Sequence, residues 1–198
     1  MQADRIFMLD FFKQLNEKIV EKYGPTIQIK FYILGGTFFV MNSLRNNSPD
    51  IDILCPEGQS YKILTQIGIP LAKEFEISLD LLYKNTLDCT FLPKNYSRLA
   101  RPYKRERSNH PNLKIWTLSP YHIILSKLAR YSPKDVNDIN LIMTSGKFKI
   151  RKKELLKQKN LYDYSAIKSK FENNFKEFLN KYEPILKKSW LEELLDNS

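Results

Sequence analysis

Apolar and polar positions alternate over residues 27–34, Ile27-Gln28-Ile29-Lys30-Phe31-Tyr32-Ile33-Leu34, which predicts a strand ending at Gly35. Upstream, residues 5–12 look apolar, but Asp10 interrupts them. Lys13, Glu17, Lys18 and Glu21 follow at helical spacing, so this part reads as an amphipathic helix closing at Gly24-Pro25 and not as a signal peptide. After the glycines, residues 37–45 are short and apolar, which predicts a buried helix with Thr37 near its start. Asn46-Asn47-Ser48-Pro49 carries turn chemistry. Alternation returns in Asp50-Ile51-Asp52-Ile53-Leu54, a strand with two carboxylates on one face and two isoleucines on the other. A third alternating run, residues 76–83, turns Ile77, Leu79 and Leu81 inward and leaves Asp80 on its polar face.

The later chain is helical in pattern. Ser119 and Pro120 predict a helix start, as N-cap and first helical residue, and the helix runs to Arg130. Tyr131-Ser132-Pro133 breaks it, and a second helix follows over residues 134–143, with Ser132 as cap and Asp135 and Asp138 on one face. From about Phe148 lysines dominate. Phe171, Phe175, Phe178 and Leu179 form an apolar stripe opposite Lys168, Lys170, Lys176 and Lys181, and such a stripe is expected to pack on the α/β part. Pro184 opens a last expected helix through Trp190 and Leu194.

The chemistry concentrates between the first two strands. Glycine tolerates positive φ and has no Cβ to hold a ligand away, and a strand, a glycine turn and a helix start together form an anion site from backbone amides. Asp50 and Asp52 share a strand face about 7 Å apart, where like charges repel unless a cation lies between them. Oxygen ligands of this kind suit Mg²⁺ or Mn²⁺. A half-exposed surface strand shows the same alternation, so the order of the elements carries more weight than either one alone.

Gly35-Gly36, the short helix and Asp50-x-Asp52 resemble the nucleotidyltransferase superfamily with the DNA polymerase β-like palm. Gly35-Gly36-Thr37 with Arg45 ahead of the acidic strand is most similar to minimal bacterial nucleotidyltransferases and AbiEii-like toxins. The helical lysine Lys127, the break and Lys134-Asp135-x-x-Asp138 resemble the motif that follows the palm in those bacterial families. The resemblance implies an α/β (α+β) fold, a small mixed sheet flanked by helices over residues 1–115, and a helical domain over 116–198 packed on it. It implies NMP transfer from an NTP to an acceptor hydroxyl, with Asp50 and Asp52 holding two Mg²⁺ or Mn²⁺ ions. Gly35, Gly36, Thr37 and Arg45 then stand on the nucleotide side, and Lys127 and Asp135 either join them or support the scaffold, where Asp138 would pair with Lys134 or Arg130. The superfamily adds a third carboxylate, as ligand or base. Asp80 is favoured, because its competitor Asp88 sits beside the turn residues Asn85 and Thr86; an ordinary surface role fits either one.

Composition narrows the partners. The 198 residues carry a formal net charge of +10 with a pI near 9.4, which favours a polyanion such as tRNA or another RNA. Arg98, Arg101, Lys104, Arg105 and Arg107, interleaved with Tyr96 and Tyr103, suit single-stranded nucleic acid; a solvated loop, diluted by Glu106, explains them equally. A small-molecule acceptor such as an aminoglycoside calls for a more acidic pocket, whereas a protein hydroxyl acceptor and a cognate antitoxin both fit the resemblance. Cys55 and Cys89 make no disulfide framework and predict a cytoplasmic chain with reduced thiols, and no stretch has the length of a membrane span. The competing class is a non-catalytic nucleic-acid-binding or partner-binding protein with a degenerate palm.

Overall fold

Helix α1 (Arg5–Tyr23) begins where β1 (Ala3–Asp4) ends, in a computed structural model that describes residues 2–83, 92, 96–103, 110–162 and 165–187. The chain divides into two units, residues 1–87 with 100–118, and residues 88–99 with 119–198. In the first, Asp4 caps α1 by accepting the Phe7 N–H at 2.8 Å, which satisfies one of the amides that a helix start leaves open. Met8, Phe11, Phe12, Leu15 and Ile19 recur every three or four residues, and all are fully buried. Gly24 ends the helix at φ 85°, a backbone region that side chains disfavour.

The remaining elements of this unit are β2 (Ile29–Ile33), α2 (Gly35–Met41), β3 (Asn47–Ser48), β4 (Asp50–Cys55), α3 (Gly58–Ile63), α4 (Ile69–Glu74), β5 (Ser78–Tyr83), β6 (Arg101–Pro102) and β7 (Leu113–Thr117). A π-helical turn, Leu64–Gly68, joins α3 to α4. The sheet is mixed, in the order β5-β4-β2-β7-β6. β2 runs antiparallel to β4 and parallel to β7, β4 runs parallel to β5, and β6 runs antiparallel to β7; β1 and β3 form a separate pair. Ile29, Phe31, Ile33, Ile51, Ile53 and Cys55 join the α1 stripe, Ile63 of α3, Leu64 and Ile67 of the π-helical turn and Leu71 of α4 in one core, each aliphatic or phenyl side chain contributing about 1.5–3 kcal/mol. Burial pushes the Cys55 thiol up to about 12, so it stays a neutral core residue. Cys89 lies outside the described residues.

Three expected elements shift at their ends. Leu34 leaves the first strand to become the cap of α2, which therefore starts at Gly35 and stops at Met41, just before Ser43 at φ 54°. Glu76 also takes positive φ, 53°, and donates its N–H to Lys73 O at 3.0 Å, so β5 begins only at Ser78.

The second unit contains α5 (Tyr96–Leu99), α6 (Pro120–Arg130), α7 (Pro133–Thr144), α8 (Lys152–Lys159) and α9 (Lys168–Lys181). Ser119 and Ser132 are the N-caps of α6 and α7, each with proline in the first turn, and Tyr131 turns between them at φ 54°. Phe171, Phe175 and Phe178 are buried inside this unit, where α9 lies against α6 and Asn174 Nδ2 donates to Leu128 O at 2.8 Å. Trp190 and Leu194 lie outside the described residues. Among the described residues, no helix is long and apolar enough to cross a membrane. The architecture is a mixed sheet flanked by helices, followed by a helical region.

Candidate metal centre

The site grows from two neighbouring strands and one turn. In β4 the alternation holds: Ile51 and Ile53 are buried in the core, while Asp50 and Asp52 face the other way and stay half-buried. The parallel register between β4 and β5 sets Asp52 opposite Asp80. Carboxylate oxygens of Asp50, Asp52 and Asp80 consequently lie within 4.8 Å of one another, with Asp80 exposed and the other two half-buried. Asp88 lies outside the described residues, so the geometry speaks only for Asp80.

The glycine turn grips the middle carboxylate. Gly36 N–H donates to Asp52 Oδ2 at 2.7 Å, Asp52 N–H donates to Thr37 Oγ1 at 2.7 Å, and Leu34 N–H donates to Asp52 O at 3.1 Å. Gly35 takes φ 45°, and a Cβ there would fall on the Asp52 carboxylate; a Cβ on Gly36 would fall on Ser48 Oγ. Gly35 is thus required by the acidic strand itself, and Gly36 by the serine that braces Asp50. Thr37 is fully buried, and its hydroxyl is engaged by the β4 backbone.

Two hydroxyls escape a reading of the sequence. Ser48 Oγ donates to Asp50 Oδ1 at 2.8 Å, and Ser78 Oγ donates to Asp80 Oδ1 at 3.3 Å. Each serine stands two residues before its aspartate. In extended chain that spacing puts both side chains on one face, so Ser-x-Asp was the available signal; the turn chemistry of residues 46–49 masked it for Ser48.

Electrostatically the cluster is incomplete. Burial first, then the Asp50 charge, with a smaller push from Asp80, raise Asp52 to about 6 against the pull of the Gly36 and Thr37 amides. Among the described residues, no lysine or arginine pairs with any of the three. The donor set fits a hard divalent cation, which takes carboxylate oxygens and would cancel this repulsion.

The other expected site residues have partners of their own. The Arg45 guanidinium lies over the Phe39 ring, 5.2 Å from its centre. In the helical unit, Lys127 Nζ donates to Asp138 at 2.6 Å and Asp135 at 3.3 Å, and Arg130 holds Asp135 through Nε at 2.7 Å and Nη2 at 2.6 Å. Asp138 therefore pairs with Lys127, where Lys134 or Arg130 was expected. Ser132 and Asp135 complete a capping box. These two buried carboxylates compete with any phosphate for the Lys127 ammonium. Of the basic cluster, Tyr96 is buried and Tyr103 donates its hydroxyl to Met41 O at 2.9 Å, so neither ring stands free as a stacking platform. Arg101 is exposed, whereas Lys104, Arg105, Arg107 and the Arg98 side chain lie outside the described residues.

A family model described as a nucleotidyltransferase of unknown function (DUF6036) matches residues 8–190. No curated protein and no solved structure matches the chain.

Proposed function

The chain belongs to the nucleotidyltransferase family DUF6036, and from that premise we propose that it moves an NMP group from an NTP to an acceptor hydroxyl with the help of Mg²⁺ or Mn²⁺. One observation carries this reading: three carboxylates from adjacent strands meet within 4.8 Å, and no described cation balances them. When bound, the ions would supply neutralisation of the triphosphate charge and Lewis-acid polarisation at the α-phosphate.

The protein's own part is positioning. Asp50 and Asp52 would hold the ions, with Ser48 and the Gly36 amide fixing which carboxylate oxygens stay available. Asp80, exposed at the open side of the cluster, serves as a further ligand or as the base that takes the acceptor hydroxyl's proton. Gly35, Gly36 and Thr37 give the triphosphate a wall without projecting side chains, and Arg45 stands at the end of that segment as a cation for the nucleotide. Catalysis of this kind rests on alignment and charge neutralisation.

For the acceptor, the net charge of +10 favours an RNA end such as that of tRNA, with a protein hydroxyl as the second choice. Toxin action in the cytoplasm, held in check by a cognate antitoxin, follows from the likeness of Gly35-Gly36-Thr37 and Lys134-Asp135-x-x-Asp138 to AbiEii-like proteins.

The test is label transfer. Purified chain is incubated with each labelled NTP, Mg²⁺ and tRNA, beside Asp50→Ala and Asp52→Ala. Transfer that needs Mg²⁺ and both aspartates supports the proposal. Salt-sensitive RNA binding with no transfer under any NTP would instead favour the binding protein with a degenerate palm.

A further inference from the structure

The helical unit carries a groove of about 610 Å³ along α8, α9 and the chain that follows α9. Its apolar lining, or floor, is aliphatic, from Leu156, which is 40% exposed, half-buried Leu179 and buried Leu186. Its rim is cationic, from Arg151, Lys152 and Lys153 at the start of α8, Lys176 on α9, and Lys187. Glu183 is the single acid among the described lining residues, and it is already paired with Lys187 at 2.9 Å.

Cations outnumber acids along the rim. Arg151 is the N-cap of α8 and Lys152 and Lys153 open its first turn, where the helix already presents positive charge and Glu154 offsets part of it. Carboxylates arriving from outside relieve that repulsion. Nucleic acid matches the rim but not the floor, because none of the described lining residues is aromatic and bases have nothing to stack on. A small anion would leave Leu156 and Leu179 uncovered.

We propose that this groove docks an acidic amphipathic helix of a partner protein, with leucine-like side chains on the floor and glutamates or aspartates facing the rim. The inference does not rest on the nucleotidyl-transfer reading, and its test has a different readout.

The full-length chain is titrated into a fluorescent, roughly 18-residue peptide with leucine and glutamate at helical spacing. A scrambled peptide of the same composition and an oligouridylate of similar length serve as comparisons, all followed by anisotropy. The patterned peptide is expected to bind at least about tenfold more tightly than the scrambled one. Leu156→Glu and Lys176→Glu should each weaken it about fivefold or more, with the circular dichroism spectrum unchanged. Equal binding of the two peptides would reduce the groove to a charged surface and overturn the proposal. So would oligouridylate that displaces the peptide and loses its own binding in Leu156→Glu. Peptide binding that appears only after Leu191→Glu and Leu194→Glu would assign the groove to the chain's own C-terminal segment, and would overturn the partner reading as well.

Discussion

Asp52 in the sheet unit and Asp135 in the helical unit are the same side chain in opposite electrostatic situations. Both are withdrawn from water, Asp135 completely, and burial alone would raise either. Around Asp135, hydrogen bonds from Arg130 and Ser132 and the Lys127 charge more than offset burial and hold the carboxyl well below the usual range. Around Asp52 the nearest charges are two more carboxylates, and two backbone amides do not outweigh them, so it rises to about 6. The first acid has its counter-charges built into the chain; the second lies in a cluster of carboxylates whose donor set fits a divalent cation. Motif spacing alone nominated both.

Breaking the compensated side should have the largest effect. Lys127→Met removes the ammonium 2.6 Å from buried Asp138 and 3.3 Å from Asp135, and is expected to cost about 3–5 kcal/mol in a urea titration. A change under 1 kcal/mol would show that the pairing matters less than its burial implies.

Next comes pH. The folded value of Asp52, about 6, lies above its ordinary 3.8, so the stability it contributes is present below about pH 4 and lost as pH rises through 6, roughly 3 kcal/mol in all. Asp135 has the opposite sign: its depressed folded value gives stability present above about pH 4 and lost on further acidification. Urea titrations from pH 3 to 8 should show both arms for the metal-free protein. Added Mg²⁺ should flatten the upper arm, stabilising more at pH 8 than at pH 5.

Smaller effects sharpen the sheet side. Gly36→Ala puts a methyl against Ser48 and should cost about 1–3 kcal/mol by thermal melting. Ser48→Ala removes the brace on Asp50, and should weaken Mg²⁺ binding about tenfold with the melting temperature nearly unchanged.

Local pattern made much of this legible. The period-2 alternation of residues 50–54 places Asp50 and Asp52 together without reference to the rest of the chain, and Pro120, Ser132 and Pro133 mark the starts of α6 and α7. The polar-face position of Asp80 was legible in residues 76–83, but its meeting with Asp52 is a matter of long-range pairing, set by the β4–β5 register. The role of the glycines was also hidden. Read alone, Gly35-Gly36 looks like a phosphate turn; in the fold the Gly36 amide and the missing Cβ of Gly35 serve the Asp52 carboxylate, and the missing Cβ of Gly36 leaves room for Ser48. Ion-pair choice was equally out of reach, since Lys127, one turn before Arg130 on α6, supplies the partner that nearer cations were expected to give Asp138.

The most direct test is Mn²⁺ or Mg²⁺ binding measured calorimetrically from pH 5 to 8 for the parent and for Asp52→Asn, which keeps the shape and removes the charge. The parent should bind more tightly as pH rises through 6, and Asp52→Asn should lose that binding while its metal-free form is at least as stable as the parent at pH 8. Equal metal affinity in the two proteins, with no dependence on pH, would contradict a cation site built on these three carboxylates.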